Sequence, residues 1–190
     1  TIFHLAAIDD RKACQKDYEL AFNVNVKGTA NILSLCSSMQ RFIYMSSNMV
    51  YGEARYLPID ELHPLDGYEP YATTKISSEY LCKGYNFTNG VSYTIVRNFN
   101  TFGPGQNTSS LIPTLIVEGL KNNKIEVWAA DTVRDFQYID NCIDGLVSIA
   151  ESEALVGETL NLASGYGITI GEITDMICMY IDAERIDIKK

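Results

Sequence analysis

Tyr71 and Lys75 are the residues whose types and spacing offer the most chemistry. Pro70 stands just ahead of them and a helix-like run, Lys75 to Lys83, follows. Proline is preorganised for the first turn of a helix, so Pro70 is predicted to open one that reaches Tyr85 or Asn86. A spacing of four then puts a phenol and an ammonium on one helical face, a turn apart. A nearby positive charge favours phenolate, so Lys75 is expected to lower the Tyr71 pKa from about 10 toward the range of an acid/base catalyst. The same spacing also occurs in helices with no catalytic part, so the surrounding elements must decide.

Ile2 to Ala6, Phe42 to Ser46 and Tyr93 to Arg97 are short apolar runs of the kind that fill buried parallel strands. Val26, Ala30, Leu33 and Cys36 give helical spacing across 25–39, whereas the polar stretch 9–23 reads as loop giving way to helix. Residues 53–69, rich in Pro, Asp and Gly, form a long connection of the type that is often functional. Further helices are predicted over 111–121, 141–152 and 170–182, and strands over 125–128, 133–139 and 159–163. Strands alternating with helices imply an α/β fold with a doubly wound parallel sheet and helices on both faces. Ligands of such sheets bind beyond the carboxyl ends of the strands. Here three strands end there in small or polar residues, Ala6-Ala7, Ser46-Ser47-Asn48 and Asn98-Phe99-Asn100. Ser and Asn also end strands as plain turn formers. Three such ends beside Tyr71 and Lys75 favour a site.

Composition narrows the partners. The 190 residues are 46% hydrophobic and 21% charged, as in an ordinary soluble domain. A net charge of −9 disfavours nucleic acid and anionic membrane surfaces. No apolar run is long enough to span a bilayer. An anionic small substrate would need a local basic group, which singles out Arg97, Arg134 and Lys75. Five scattered cysteines without a C-x-x-C spacing fit reduced, buried thiols of a cytoplasmic protein. The two histidines form no metal-ligand pattern, so no metal is expected. The chain opens on the apolar Thr1-Ile2-Phe3 without a methionine and ends on Ile186–Lys190, which looks like the start of another element. It reads as an internal piece of a longer protein.

Taken in order, these pieces resemble the extended short-chain dehydrogenase/reductases, in particular their nucleotide-sugar epimerase/dehydratase branch. His4-Leu5-Ala6-Ala7 is similar to the strand end that passes the cofactor, and Asn25-Val26-Lys27-Gly28-Thr29 to the helix whose asparagine supports the active-site strand. Ser46-Ser47-Asn48-Met49-Val50-Tyr51-Gly52 resembles the segment with the catalytic Ser/Thr, which falls on Ser47, and Tyr71/Lys75 match the Y-x-x-x-K pair. Arg97 to Pro104 resembles the segment lining nicotinamide and substrate, and Arg134-Asp135-Phe136 the R-D-[FY] whose arginine holds the nucleotide diphosphate.

The resemblance implies a Rossmann-like sheet with a small α/β substrate-binding region. Residues 1–100 would be the latter part of the dinucleotide-binding domain and 101–190 mostly the substrate region, with segments around 133–163 returning to the large sheet. It implies NAD as cofactor, held by Leu5, Ala6, Ala7, Asn25, Ser46, Tyr71, Lys75 and Asn98. NADP is the alternative, because the glycine-rich turn and the acidic residue that selects between the two belong upstream of Thr1. Ser47, Tyr71 and Lys75 would be catalytic, and Ser47, Asn48, Asn100 and Arg134 would meet a nucleotide-diphosphate sugar. A homodimer formed by the helix after Asn25 and the Tyr71 helix is also implied.

One departure bears on the reaction. The sugar 4,6-dehydratases of this branch follow the catalytic Thr with an Asp-Glu pair, and here those positions are Asn48 and Met49. Neither is a carboxylate, which favours a 4-epimerase over a dehydratase. A keto-sugar reductase would use the same three residues. A catalytically silent nucleotide-binding relative and a reductase of steroid-like ketones are the other readings.

Overall fold

A computed structural model describes residues 1–188. The chain runs through β1 (Ile2–His4), α1 (Arg11–Lys16), α2 (Tyr18–Phe22), a π-helical turn (Asn23–Lys27), α3 (Gly28–Leu35) and β2 (Arg41–Ser47). A 3-10 turn (Asn48–Tyr51), α4 (Pro70–Asn89), β3 (Ser92–Asn98), β4 (Asn100–Phe102), α5 (Leu111–Asn122), β5 (Lys124–Val127) and β6 (Val133–Tyr138) follow. After them come α6 (Ile139–Glu151), β7 (Thr159–Leu162), β8 (Gly167–Thr169), α7 (Ile170–Ile181) and β9 (Glu184–Asp187).

Local chemistry explains where the ends differ from the sequence reading. In the polar stretch 9–23 the helical part begins early, at Arg11, and is split in two, because the Asp10 and Asp17 carboxylates accept from the Ala13 and Leu20 N–H groups as N-caps. The helix expected to reach Met39 stops at Leu35, where Cys36 turns extended. The element expected near Ile186 is β9, already under way at Glu184, while Lys189 and Lys190 lie outside the described residues. Among the described residues no helix is long and apolar enough to cross a membrane.

Two compact units make up the chain. The first holds Thr1–Phe99 and Asp144–Leu162, and the second Asn100–Ile143 with the stretch from Ala163 onward. The first unit is built on a four-stranded sheet, order β1-β2-β3-β7, parallel throughout. Alternate residues Phe42, Tyr44, Tyr93 and Ile95 join Leu33 of α3 and Cys82 of α4 in one core. Burial of side chains of this size stabilises by ~1.5–3 kcal/mol each. On the opposite face Arg41 donates to Thr94 Oγ1 and to the carbonyls of Ala150 and Ser152, so it closes the C-terminal end of α6. With helices on both faces of a parallel sheet, the unit is an α/β, Rossmann-like fold.

The second unit has a three-stranded sheet, β4-β6-β8, and a two-stranded parallel sheet, β5-β9. Of the segments around 133–163 expected to rejoin the large sheet, β7 does so, whereas β6 pairs with β4 and, antiparallel, with β8. The exposed start of β6, Val133 and Arg134, suits a half-solvated strand better than a buried parallel one. Leu115, Ile125 and Val127 form this unit's core with Ile170, Ile173, Ile177 and Ile181.

The long connection 53–69 is seated by Gly67, whose N–H donates to Val50 O at 3.0 Å. A Cβ at Gly67 would collide with Met49 O and lie 2.8 Å from Ala72 Cβ. Gly67→Ala is therefore expected to destabilise the protein by ~1–3 kcal/mol, as overpacking does. A thermal midpoint equal to wild type would mean that the connection is not seated as described.

Candidate functional site

Helix α4 carries Tyr71, Lys75 and, one turn further, Glu79 on a single face. Pro70 occupies its first turn, as the sequence predicts. Lys75 is only 3% exposed, and its Nζ donates to Met45 O of β2 at 2.9 Å. The ammonium sits 5.2 Å from the Tyr44 ring centroid and 5.7 Å from that of Tyr71. Ser47 closes β2 and caps the 3-10 turn by accepting from Met49 N at 3.2 Å. Its hydroxyl lies near enough to the Tyr71 phenol to favour that phenol's ionisation. Ser47, Tyr71 and Lys75 are thus brought together, by the end of one strand and the first turns of one helix.

The electrostatics run opposite to the sequence expectation for Tyr71. Burial pushes its phenol up to about 12, with the Ser47 hydrogen bond pulling the other way. Burial also holds Lys75 down to about 8, against the favourable fields of Asp9, Cys14 and Glu79. Loss of water outweighs mutual attraction here, because the ammonium points at Met45 O and the phenol points at Ser47.

Arg97 is likewise not an anion-binding group at the surface. It is 3% exposed and forms a two-pronged pair with Glu79, Nε to Oε1 at 3.0 Å and Nη2 to Oε2 at 2.8 Å. The Ser46 hydroxyl donates to the same carboxylate at 2.5 Å, so its side chain is committed inward rather than to a ligand. Glu79 went unnoticed in the sequence, although its spacing of four from Lys75 was a usable signal.

Asn25 is buried and brackets the residue after Ala6-Ala7. Its Oδ1 accepts from Ile8 N at 2.8 Å, and its Nδ2 donates to Ile8 O and to Thr74 Oγ1 on α4. This is a supporting contact between β1's exit and α4, not a surface open to a ligand. Thr29 Oγ1 gives its proton to Asn25 O, so His4 Nε2, 2.9 Å away, is the donor to Thr29. Leu5, Ala6 and Ala7 follow β1 directly, with Leu5 53% exposed, and Asn98 ends β3 opposite Ser47 in the register.

In the second unit, Asn100 and Arg134 lie on the neighbouring strands β4 and β6. Asn100 Nδ2 donates to Asp135 O at 2.8 Å. The Asp135 carboxylate accepts from Ser164 N, Ser164 Oγ and Gly165 N, which removes it as a partner for Arg134. Arg134 makes no ion pair among the described residues and bonds only its neighbour's carbonyl, Val133 O, at 2.8 Å.

The model of the NAD dependent epimerase/dehydratase family matches residues 1–163. The chain belongs to that family. It is 28% identical over 180 residues to an uncharacterized UDP-glucose epimerase of Bacillus subtilis, covering 93% of this chain and 57% of the relative. It is 30% identical over 190 residues to the GDP-6-deoxy-D-mannose reductase of Pseudomonas aeruginosa, covering 93% of this chain and 61% of that protein. The chain therefore spans little more than half the length of these curated relatives. Among solved structures, the UDP-glucuronic acid 4-epimerase of Bacillus cereus in complex with UDP-glucuronic acid and NAD superposes with a TM-score of 0.89. That match is 29% identical and covers 98% of this chain and 62% of the other.

The residues present fit the family's cofactor. Lys75 Nζ is buried with one of its three N–H groups given to Met45 O, which leaves donors for the hydroxyls of a ribose. The small Ala6 and Ala7 at the carboxyl end of β1 leave room for a bound group, and Leu5 adds apolar surface there. Lys75, Tyr71, Leu5, Ala6, Ala7 and Asn98 are the residues that would hold it.

The buried ammonium has a measurable consequence. Its folded pKa of about 8, against 10.5, corresponds to a burden on the order of 3 kcal/mol. The burden is complete below pH 8 and fades as pH rises from 8 to 10.5, because the lysine is then neutral in both states. Lys75→Met is expected to raise the thermal midpoint at neutral pH, with its advantage shrinking across that window. A lower midpoint at neutral pH would refute the assignment of a costly buried charge.

Proposed function

We propose that the protein is a NAD-dependent epimerase of a nucleotide-diphosphate sugar, working through a transient 4-keto intermediate. The observation that carries this reading is the meeting of Ser47, Tyr71 and Lys75, with the serine hydroxyl near the phenol and the ammonium 5.7 Å from the phenol ring, one helical turn on. When bound, NAD accepts a hydride from the sugar carbon and returns it. Tyr71, as phenolate, takes the proton of the sugar hydroxyl and later gives it back. A lone phenolate is disfavoured in this buried place, but one formed beside the Lys75 ammonium makes a neutral pair. Ser47 hydrogen-bonds the reacting oxygen and orients it. With the cofactor bound, hydride delivered to the opposite face of the turned 4-keto sugar would invert the centre.

Arg134 is the group suited to a diphosphate, since its planar fork is not taken up by a carboxylate among the described residues. Asn100 and Asn48 are assigned to the sugar nucleotide. Asn48 and Met49 offer no carboxyl group for elimination of water, which separates this reading from a dehydratase. The reading includes a cytoplasmic homodimer formed through α3 and α4, where Tyr80 and Phe87 are exposed. A reductase is the second reading, supported by the 30% identity to GDP-6-deoxy-D-mannose reductase.

The test uses the full-length protein with NAD and a panel of nucleotide hexoses. Inversion at C4 without net change in NADH is expected, and Tyr71→Phe should lower turnover by ~10²–10⁴-fold. Wild-type turnover by Tyr71→Phe would refute the acid/base assignment. Net consumption of NADH or NADPH with a keto-sugar would establish the reductase instead, and a 4-keto-6-deoxy product would refute the argument from Asn48 and Met49.

A further inference from the structure

We infer that Arg97 is a positioning residue, which holds Ser47 and Tyr71 in register by bonding at once the helix under Tyr71 and the turn after Ser47. The inference rests on the proposed roles of Ser47 and Tyr71. Arg97 lies in β3, and its register partner in β2 is Ser46, the residue before Ser47. Its Nε and Nη2 grip Glu79 on α4, two turns below Tyr71. Its Nη1 donates to Tyr51 Oη at 3.0 Å and to Glu61 O at 3.1 Å. Tyr51 ends the 3-10 turn that Ser47 begins, and Glu61 belongs to the long connection that leads to Tyr71.

The second arm is closed by Asn161 of β7. Tyr51 Oη donates to Asn161 Oδ1 at 2.6 Å, Asn161 N donates to Glu61 Oε1 at 2.7 Å, and Asn161 Nδ2 donates to Ile59 O at 3.1 Å. One guanidinium therefore fixes the segment 47–51 from behind and α4 from the side. Burial keeps Arg97 from touching a ligand, so its influence on the reaction must pass through these bonds. A lysine at this position keeps the charge beside Glu79, but a single nitrogen cannot also reach Tyr51 and Glu61.

Arg97→Lys and, as a milder cut of the second arm alone, Tyr51→Phe are made in the full-length protein beside Tyr71→Phe. Turnover is counted per NAD-binding site, so that loss of folded protein does not register. The expected result is a kcat lowered on the order of a hundredfold in Arg97→Lys, as for an ångström of misplacement. The KM for the nucleotide sugar should stay within about threefold, since ground-state binding is untouched. Tyr51→Phe should lower kcat by about tenfold in the same pattern. Wild-type kcat per site in both variants, with Tyr71→Phe inactive, would overturn the inference and leave the proposed reaction standing. Should Tyr71→Phe retain full activity, or the wild type turn over no nucleotide sugar, the proposed reaction falls. A crystal structure of Arg97→Lys then decides the positioning claim alone: a displaced Ser47–Tyr71 contact upholds it, and an unmoved one overturns it.

Discussion

A buried guanidinium–carboxylate pair, Arg97 with Glu79, is the constraint on which the arrangement of the first unit depends. Both side chains are almost wholly withdrawn from water, at 4% and 1% exposure. Desolvation of two charges is so costly that apolar residues of equal volume often serve stability as well or better. Removing one partner is another matter, because the charge left behind costs ~3–5 kcal/mol. What the pair supplies that a leucine would not is direction. Its four hydrogen bonds tie β3 to α4, to the end of the 3-10 turn and to the connection between them.

The pair also sets the charge balance along α4. Tyr71, Lys75 and Glu79 stand in successive turns, so an unpaired Glu79 carboxylate would be the natural partner of the Lys75 ammonium. With Arg97 gripping Glu79, the lysine bonds a single backbone acceptor, and burial depresses its pKa against the favourable fields of Asp9, Cys14 and Glu79. The result is a buried ammonium beside a buried phenol, each pushed toward its neutral form by loss of water. Each makes ionisation of the other cheaper. On the proposed reading that is a useful state for proton exchange with a bound hydroxyl, and it is a poor one for stability alone.

Much of this was legible in the sequence, and the rest was hidden for a definite reason. The Tyr71/Lys75 spacing, the proline ahead of it, and the strand ends at Ser47 and Asn98 all follow from local pattern and are placed as patterned, whereas β1 stops at His4, short of the expected Ala6. Pattern says which side chains share a face, but not how much water they lose. The direction of the Tyr71 pKa was therefore misjudged, since burial outweighs a nearby charge that points elsewhere. Arg97 was misjudged as an anion site for the same reason: its sheet position was visible, but its partner lay 18 residues back on a helix. The part of 133–163 that leaves the large sheet was also unreadable, because pairing partners are set by tertiary contact rather than by strand propensity.

On the proposed reading, Ser47, Tyr71 and Lys75 would serve proton removal and return beside hydride transfer at a sugar carbon, so they do not by themselves separate an epimerase from a reductase. Other residues bear on the proposed reading. Asn48 and Met49 lack carboxyl groups, which removes the acid and base that elimination needs. On the second unit, Asp135 hands its carboxylate to Ser164 and Gly165, so that Arg134 beside it has no ion pair among the described residues, in a chain whose net charge is −9. A lone guanidinium on such an acidic protein is a local minimum for an anion. On the proposed reading, the hold on a diphosphate thus rests on a carboxylate turned away from its neighbour.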